Sequence, residues 1–232
     1  FQFALVSNLV SSKKMLVKTK GSAIVGIDAV TITIEVNVSM GQGYCIVGLP
    51  DNAVKESLDR TESAIKSNGF HMPRTKLVIN LSPADLKKSG AAFDLPIAIG
   101  ILAASEQITQ PSLIEKYVCM GELGLDGNLY PIKGILAMAM QAKEEGFAAM
   151  IIPKQNAAEA LMVEGIPIFA FSSLQEVVHF LNNPYDEKQN KLQQDHTSIN
   201  QNMQTETSPN FADIKGQSAA KRALEIASAG GH

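Results

Sequence analysis

Val30-Thr-Ile-Thr-Ile-Glu-Val-Asn-Val38 carries an apolar residue at every second position. In an extended chain successive side chains leave opposite faces, so this run reads as a strand with one dry face and one wet face. Upstream, Ile24 and Ile27 carry the β pattern back, and residues 15 to 38 are expected to form strands. Downstream, Gly41-Gln-Gly43 predicts a hairpin turn and Tyr44 to Leu49 a further strand. Pro50-Asp51 then opens a helix with Asp51 as N-cap, and Asn68-Gly69 closes it.

The alternation of elements continues. Lys76 to Leu81, Tyr117 to Met120, Leu129 to Ile132, Ala149 to Ile152 and Ile166 to Phe171 read as strands. Phe93 to Leu102 reads as a buried helix with Asp94 and Pro96 in its first turn. Ile135 to Glu145 predicts a helix stopped by Gly146, with Met138 and Met140 in the core. Ser173 to Leu181 predicts a helix with a Ser173–Glu176 capping box. Strands alternating with helices give a mixed α/β domain over residues 15–182. Residues 1–14 read as an upstream segment ahead of Met15, the alternative being a short local strand. Residues 183–210 are nearly all polar, the composition of a flexible linker. A second module is expected from Phe211, with a helix from Ser218 to about Ala229 and Gly230-Gly231-His232 after it.

Composition narrows the function. A net charge of -3 is not the footprint of a strongly basic nucleic-acid-binding domain. Lys55, Arg60, Lys66, Arg74, Lys76, Lys87 and Lys88 form a loosely basic stretch, but Glu56, Asp59, Glu62 and Asp85 interrupt it. A mixed solvated surface is the expectation. Cys45 and Cys119 stand far apart without neighbours at ligand spacing, which excludes a disulfide framework and argues against zinc. His71, His179, His196 and His232 show no ligand spacing either, so no metal site is expected. Two unpaired cysteines fit a reducing cytoplasm. No apolar run reaches the length of a membrane span. Gly41-Gln-Gly43 with Gly48 lacks the Lys-Ser/Thr ending of a phosphate loop.

Several blocks together resemble the ComM/YifB family, the magnesium-chelatase-like bacterial AAA+ proteins. They are Gly21-Ser-Ala-Ile-Val-Gly-Ile-Asp28, Ile46-Val-Gly-Leu-Pro-Asp51 with Val54-Lys-Glu-Ser57, Asn80-Leu-Ser-Pro-Ala-Asp85, Phe93-Asp-Leu-Pro-Ile-Ala98 and Gly121-Glu-Leu-Gly-Leu-Asp-Gly127. Asp213-Ile-Lys-Gly-Gln217 and Lys221-Arg-Ala-Leu-Glu225 match as well, in the family's order. The resemblance implies a Lon-protease-like domain over 15–182, the linker 183–210, and the truncated start of an AAA+ ATPase domain over 211–232, ending before the phosphate-binding loop. It also implies, for the complete protein, a homo-hexameric motor using ATP and Mg²⁺, without a membrane. DNA is then a candidate partner, and DNA branch migration in natural transformation the candidate activity. This chain alone is expected to hold no cofactor and to be inactive.

Lon-type peptidases use a serine nucleophile and an activating lysine. The resemblance puts the nucleophile's place on Ala92, within one residue, in Ser89-Gly-Ala-Ala-Phe-Asp94. It puts the lysine's place on Leu136, after Pro131-Ile-Lys-Gly-Ile135. Alanine offers no nucleophile and leucine no base, so the domain is expected to be non-catalytic. Ser89 and Lys133 lie near these places and read as solvated loop residues rather than a shifted dyad. Ile214, Lys215 and Gly216 resemble the segment that packs against adenine in the complete protein. Two alternatives stand: a Lon-like Ser-Lys peptidase, and a magnesium-chelatase-type motor subunit.

Overall fold

A computed structural model describes residues 15–183 and 216–229. Strands β1 (Met15–Val25) and β2 (Asp28–Ser39) form an antiparallel hairpin, in register from Met15 with Val38 to Val25 with Asp28. The alternation that identifies β2 does what it predicts: Ile32, Ile34 and Val36 have no exposed surface. After β3 (Tyr44–Val47), α1 (Asn52–Ser67) and β4 (Lys76–Ser82), the chain enters α2 (Asp94–Ala104) and the short α3 (Pro111–Ile114). There follow β5 (Tyr117–Cys119), the small pair β6 (Glu122–Leu123) and β7 (Leu129–Tyr130), α4 (Ile135–Glu144) and β8 (Ala149–Pro153). The short α5 (Ala157–Ala160), β9 (Ile168–Phe171) and α6 (Leu174–Asn182) complete the domain.

The main sheet runs in the order β3-β4-β2-β1-β5-β8-β9. Both the β1–β2 and β2–β4 pairs are antiparallel, while β3–β4, β1–β5, β5–β8 and β8–β9 are parallel. This is a mixed α/β fold with a mostly parallel sheet. After Asp94, helix α2 is apolar all round, and every one of its 11 residues is buried. It lies on β1 and β2 so closely that a Cβ on Gly100 would meet Val36 Cγ2 at 2.5 Å.

Three expectations are corrected here. Gly41-Gln-Gly43 is not a hairpin turn. β3 does not return beside β2 but pairs in parallel with β4, through Tyr44–Leu77 to Val47–Asn80. Parallel neighbours need a crossover, and α1 supplies it. Gly48 then serves the backbone: its φ is 97°, and a Cβ there would collide with the Leu81 carbonyl. Met140 is exposed rather than in the core, because α4 turns Ile135, Met138, Ala139 and Ala142 inward. The α6 capping box is shifted by one residue on its return arm. Glu176 N–H donates to Ser173 Oγ at 3.3 Å, but Glu176 Oε2 accepts from the N–H of Ser172 at 2.7 Å.

Asp51 caps α1 as expected, accepting from the Val54 N–H at 2.8 Å. The chain divides into two units, Phe1–Gln193 and Gln194–His232. In the second, α7 (Ser218–Ala229) is the helix anticipated from Ser218, and it carries an Arg222–Glu225 pair at 3.0 Å. The upstream segment 1–14, the linker apart from Asn183, and Ile214 and Lys215 lie outside the described residues. No described helix is long and apolar enough to cross a membrane.

Candidate functional site

A cleft of about 340 Å³ opens beside the N-terminal end of α2. Its floor is the segment Ser89 to Phe93, whose last three residues form one turn of 3₁₀ helix. One wall is Ser22 to Ile24 of β1, and the opposite wall is Pro131 to Lys133. Two hydrogen bonds set the opposite wall: Asn156, itself buried, accepts from the Ile132 N–H and donates to the Ile132 carbonyl, each at 2.9 Å. The charged groups lining the cleft are Lys87, Lys133 and Glu122.

Ala92, expected at the nucleophile's place, lines this cleft together with Ala91 and Phe93, and none of the three carries a hydroxyl. Leu136 does not reach it. The Leu136 side chain is half-buried against the core, its N–H donates to Glu159 Oε1 at 3.1 Å, and it borders a separate depression with Met140 and Met162. Ser89 and Lys133 are both exposed and both line the cleft. Neither makes a hydrogen bond to the other. Gly216, at φ 72°, precedes α7.

Beneath the cleft lies a polar network that the residue pattern does not announce. Asp94 has no exposed surface, yet its carboxylate accepts from Ser57 Oγ, from Arg60 Nε at 2.8 Å and Nη2 at 3.0 Å, and from the Leu123 N–H at 3.2 Å. The bond to Asp94 holds the Arg60 guanidinium above its ordinary pKa against the opposing effect of burial. Arg60 Nη2 also donates to the Ala53 carbonyl at 2.9 Å. The network ties α1, α2 and β6 together under the cleft floor. Its signal was available in Val54-Lys-Glu-Ser57 and Phe93-Asp94, two blocks of the family resemblance, with Arg60 one turn after Ser57.

The basic stretch is corrected at two positions. Arg60 belongs to this network rather than to a solvated surface. Lys88 is fully buried. Main-chain bonds on both sides draw it in: Lys88 N–H donates to the Leu49 carbonyl at 3.2 Å and Asp51 N–H to the Lys88 carbonyl at 3.0 Å. Its ammonium donates to the Pro83 carbonyl. Burial pushes its pKa below the ordinary lysine value, with Asp85 opposing. Lys55, Lys66, Arg74, Lys76 and Lys87 are exposed as expected. Among the described residues no group of three or more His, Cys, Asp or Glu is placed to hold a metal ion.

Fold and cleft together define a mixed α/β domain whose cleft floor carries Ala91 and Ala92. Residues 34–156 match the family described as subunit ChlI of Mg-chelatase, and the chain belongs to this family, in its ComM/YifB group. It is 42% identical over 212 residues to the protein YifB of Salmonella typhimurium, covering 90% of this chain and 40% of that protein. It is 41% identical over 214 residues to the competence protein ComM of Haemophilus influenzae, covering 90% of this chain and 41% of ComM. A lower similarity, 29% over 138 residues, links 58% of the chain to 24% of Lon protease 2 of Bacillus subtilis. The chain thus spans about two fifths of the length of YifB and ComM.

Proposed function

We propose that this chain is the N-terminal region of a ComM/YifB-like hexameric AAA+ ATPase that works as a DNA motor in the cytoplasm. Residues 15–182 form its non-catalytic domain, an assembly and DNA-guiding collar. Residues 183–210 link it to the motor module, which begins at 211. In the complete protein Ile214, Lys215 and Gly216 pack against the adenine of ATP, with Mg²⁺ on the phosphates. Two observations support the reading: the chain aligns over nine tenths of its length with a competence protein, and the cleft floor carries Ala91 and Ala92, which offer no hydroxyl for peptidase chemistry.

The test uses the complete protein and a variant lacking residues 15–182. Native mass spectrometry with ATP and Mg²⁺, ATP hydrolysis, and strand exchange on branched DNA are measured for both. The complete protein is expected to form hexamers and move branches, and the variant to lose assembly or branch movement while keeping residual ATP hydrolysis. A complete protein without ATP hydrolysis, or a variant that assembles and moves branches at full rate, rejects the reading. The description of the matched family supports a second one, a chelatase-type motor subunit. Stimulation of ATP hydrolysis by a porphyrin and Mg²⁺, with none by DNA, would favour it.

A further inference from the structure

The main sheet ends differently on its two sides. On one side β9 is covered, with Ile168, Phe169 and Phe171 buried. On the other, β3 is bare: Tyr44, Cys45 and Val47 are exposed and Ile46 is half-buried. Met40 and Leu49, which flank the strand, are exposed as well. Proteins that stay monomeric blunt such an edge with charge or proline. From Met40 to Leu49 this chain carries neither.

The register fixes which main-chain groups are bare. The Leu77 N–H donates to the Gly43 carbonyl at 3.0 Å, and Cys45 is paired with Val78. In a parallel ladder alternate residues turn both groups to the neighbour, so Gly43, Cys45 and Val47 bond to β4. Tyr44 and Ile46 turn theirs outward. β4 is the only strand beside β3, and among the described residues no hydrogen bond outside that ladder reaches Tyr44 or Ile46.

This edge is complementary to itself. Laid antiparallel against a second β3 across a two-fold axis at Cys45, Tyr44 exchanges both bonds with Ile46 of the second copy, and Ile46 with its Tyr44. All four outward residues are then paired. Parity allows only shifts of two residues, and such a shift leaves half of them outside the pairing. Tyr44 and Ile46 also share the sheet face of Leu77 and Ile79, so an aromatic ring meets a β-branched side chain on each side of the axis. With no charge on the strand, nothing repels an identical copy.

We propose that β3 is a two-fold interface, on which a second copy of this chain pairs antiparallel with Cys45 opposite Cys45. A four-residue strand makes the contact small and the association reversible. Neighbours in a six-membered ring meet head to tail, whereas this contact is self-complementary, so it stands or falls apart from the motor reading.

Sedimentation equilibrium of the full chain with reductant, from micromolar to millimolar concentration, should show a monomer–dimer equilibrium. At the axis a non-hydrogen-bonded pair sets its Cα atoms about 4.5 Å apart, within the roughly 4.4–6.8 Å that a disulfide spans. Diamide should therefore link the dimer through Cys45, as peptide mapping without reductant reads, while buried Cys119 stays reduced. Moving the thiol with Cys45→Ala and Val47→Cys together should abolish the link, because Val47 lies opposite Gly43 of the second copy. Cys45→Lys and Cys45→Glu should each weaken the dimer about fivefold or more, since like charges meet at the axis, and an equimolar mixture of the two should restore it. Circular dichroism and an unreactive Cys119 confirm folding; should the charged variants not fold, the linking pattern decides. A monomer at every concentration overturns the proposal and leaves the motor reading intact. Equal linking through Val47→Cys, dimers unchanged in both charged variants, or a mixture that fails to restore them overturns it as well. A chain that stays monomeric yet binds an extended peptide at β3 also overturns it and gives the edge a different partner.

Discussion

Arg60 grips Asp94 with two hydrogen bonds, Nε to Oδ2 at 2.8 Å and Nη2 to Oδ1 at 3.0 Å, although the two residues are 34 positions apart. Asp94 is wholly buried in the first turn of α2, and Arg60 keeps only 22% of its side-chain surface. A buried carboxylate tolerates burial only while every lone pair has a donor. Here the donors come from α1 and from the β6 main chain, so the pair fixes the entry of α2 beneath the cleft.

Removing either partner should therefore be costly. Asp94→Ala leaves the Arg60 fork and the Leu123 N–H without their acceptor, and Arg60→Ala leaves a buried carboxylate short of its main donor. Each is expected to lower unfolding stability by about 3–5 kcal/mol, the range for breaking a buried pair. Arg60→Lys should recover little, since a point charge cannot reproduce two parallel bonds. Urea denaturation of the single and double variants measures this. The double variant should cost clearly less than the two single losses added together, and simple additivity would contradict a coupled pair.

Lys88 makes a pH prediction with a definite sign. Burial lowers its folded-state pKa below the ordinary lysine value of 10.5. Between the lowered value and 10.5 the unfolded chain binds more protons than the folded one, so stability rises with pH across that window. Lys88→Met removes the titrating group while keeping an unbranched side chain of similar length. Thermal melts of both proteins from neutral to alkaline pH should show the native chain gaining stability relative to the variant as pH approaches 10.5. Parallel curves would mean that Lys88 is solvated after all.

The two cysteines should separate cleanly. Burial pushes the Cys119 thiol up to about 12, and its side chain has no exposed surface. Cys45 is exposed on β3. Because the thiolate is the reacting species, a disulfide reagent at neutral pH should modify one thiol in the folded protein and both in denaturant. Mass mapping should place the native modification on Cys45. Rapid modification of Cys119 would show that β5 opens locally.

How far the sequence could be read follows from the range of each signal. The β2 alternation, the apolar run of α2 after Asp94 and the Asp51 and Ser173 caps are local patterns, and they place those elements within a few residues. The location of β3 was not legible. Tyr44 to Val47 has a strand's composition, but nothing within it says whether its neighbour is β2 or β4. The crossover through α1 decides that. Arg60 and Lys88 were misread for the same reason: their partners Asp94, Leu49 and Pro83 are set by tertiary approach, and in sequence both residues look like ordinary surface charges. A motif singles out Ala92 in the sequence, but that it lines a cleft emerges only from the fold. That Lys133 lines the cleft and Leu136 borders another depression depends on the path of the chain after Pro131.

That path gives the Ser–Lys question its sharpest form. Ser89 and Lys133 line one cleft, as a peptidase dyad must, yet each is exposed and they share no hydrogen bond. A serine becomes a nucleophile when a neutral amine within hydrogen-bond reach takes its proton. Ala91 and Ala92 leave no other hydroxyl on the 3₁₀ turn of the cleft floor. The chain should therefore cleave neither casein nor an acyl-ester peptide, and a serine-directed fluorophosphonate should leave it unlabelled. Ser89→Ala and Lys133→Ala should change neither result. Labelling or cleavage that both substitutions abolish would establish a displaced dyad and make the domain a peptidase. Ala92→Ser with Leu136→Lys places both groups at the positions that the Lon resemblance assigns. Because Leu136 borders a different depression from Ala92, this double variant too is expected to show no cleavage beyond about 10³-fold over the uncatalysed rate, roughly what remains when catalytic groups are lost and only binding acts.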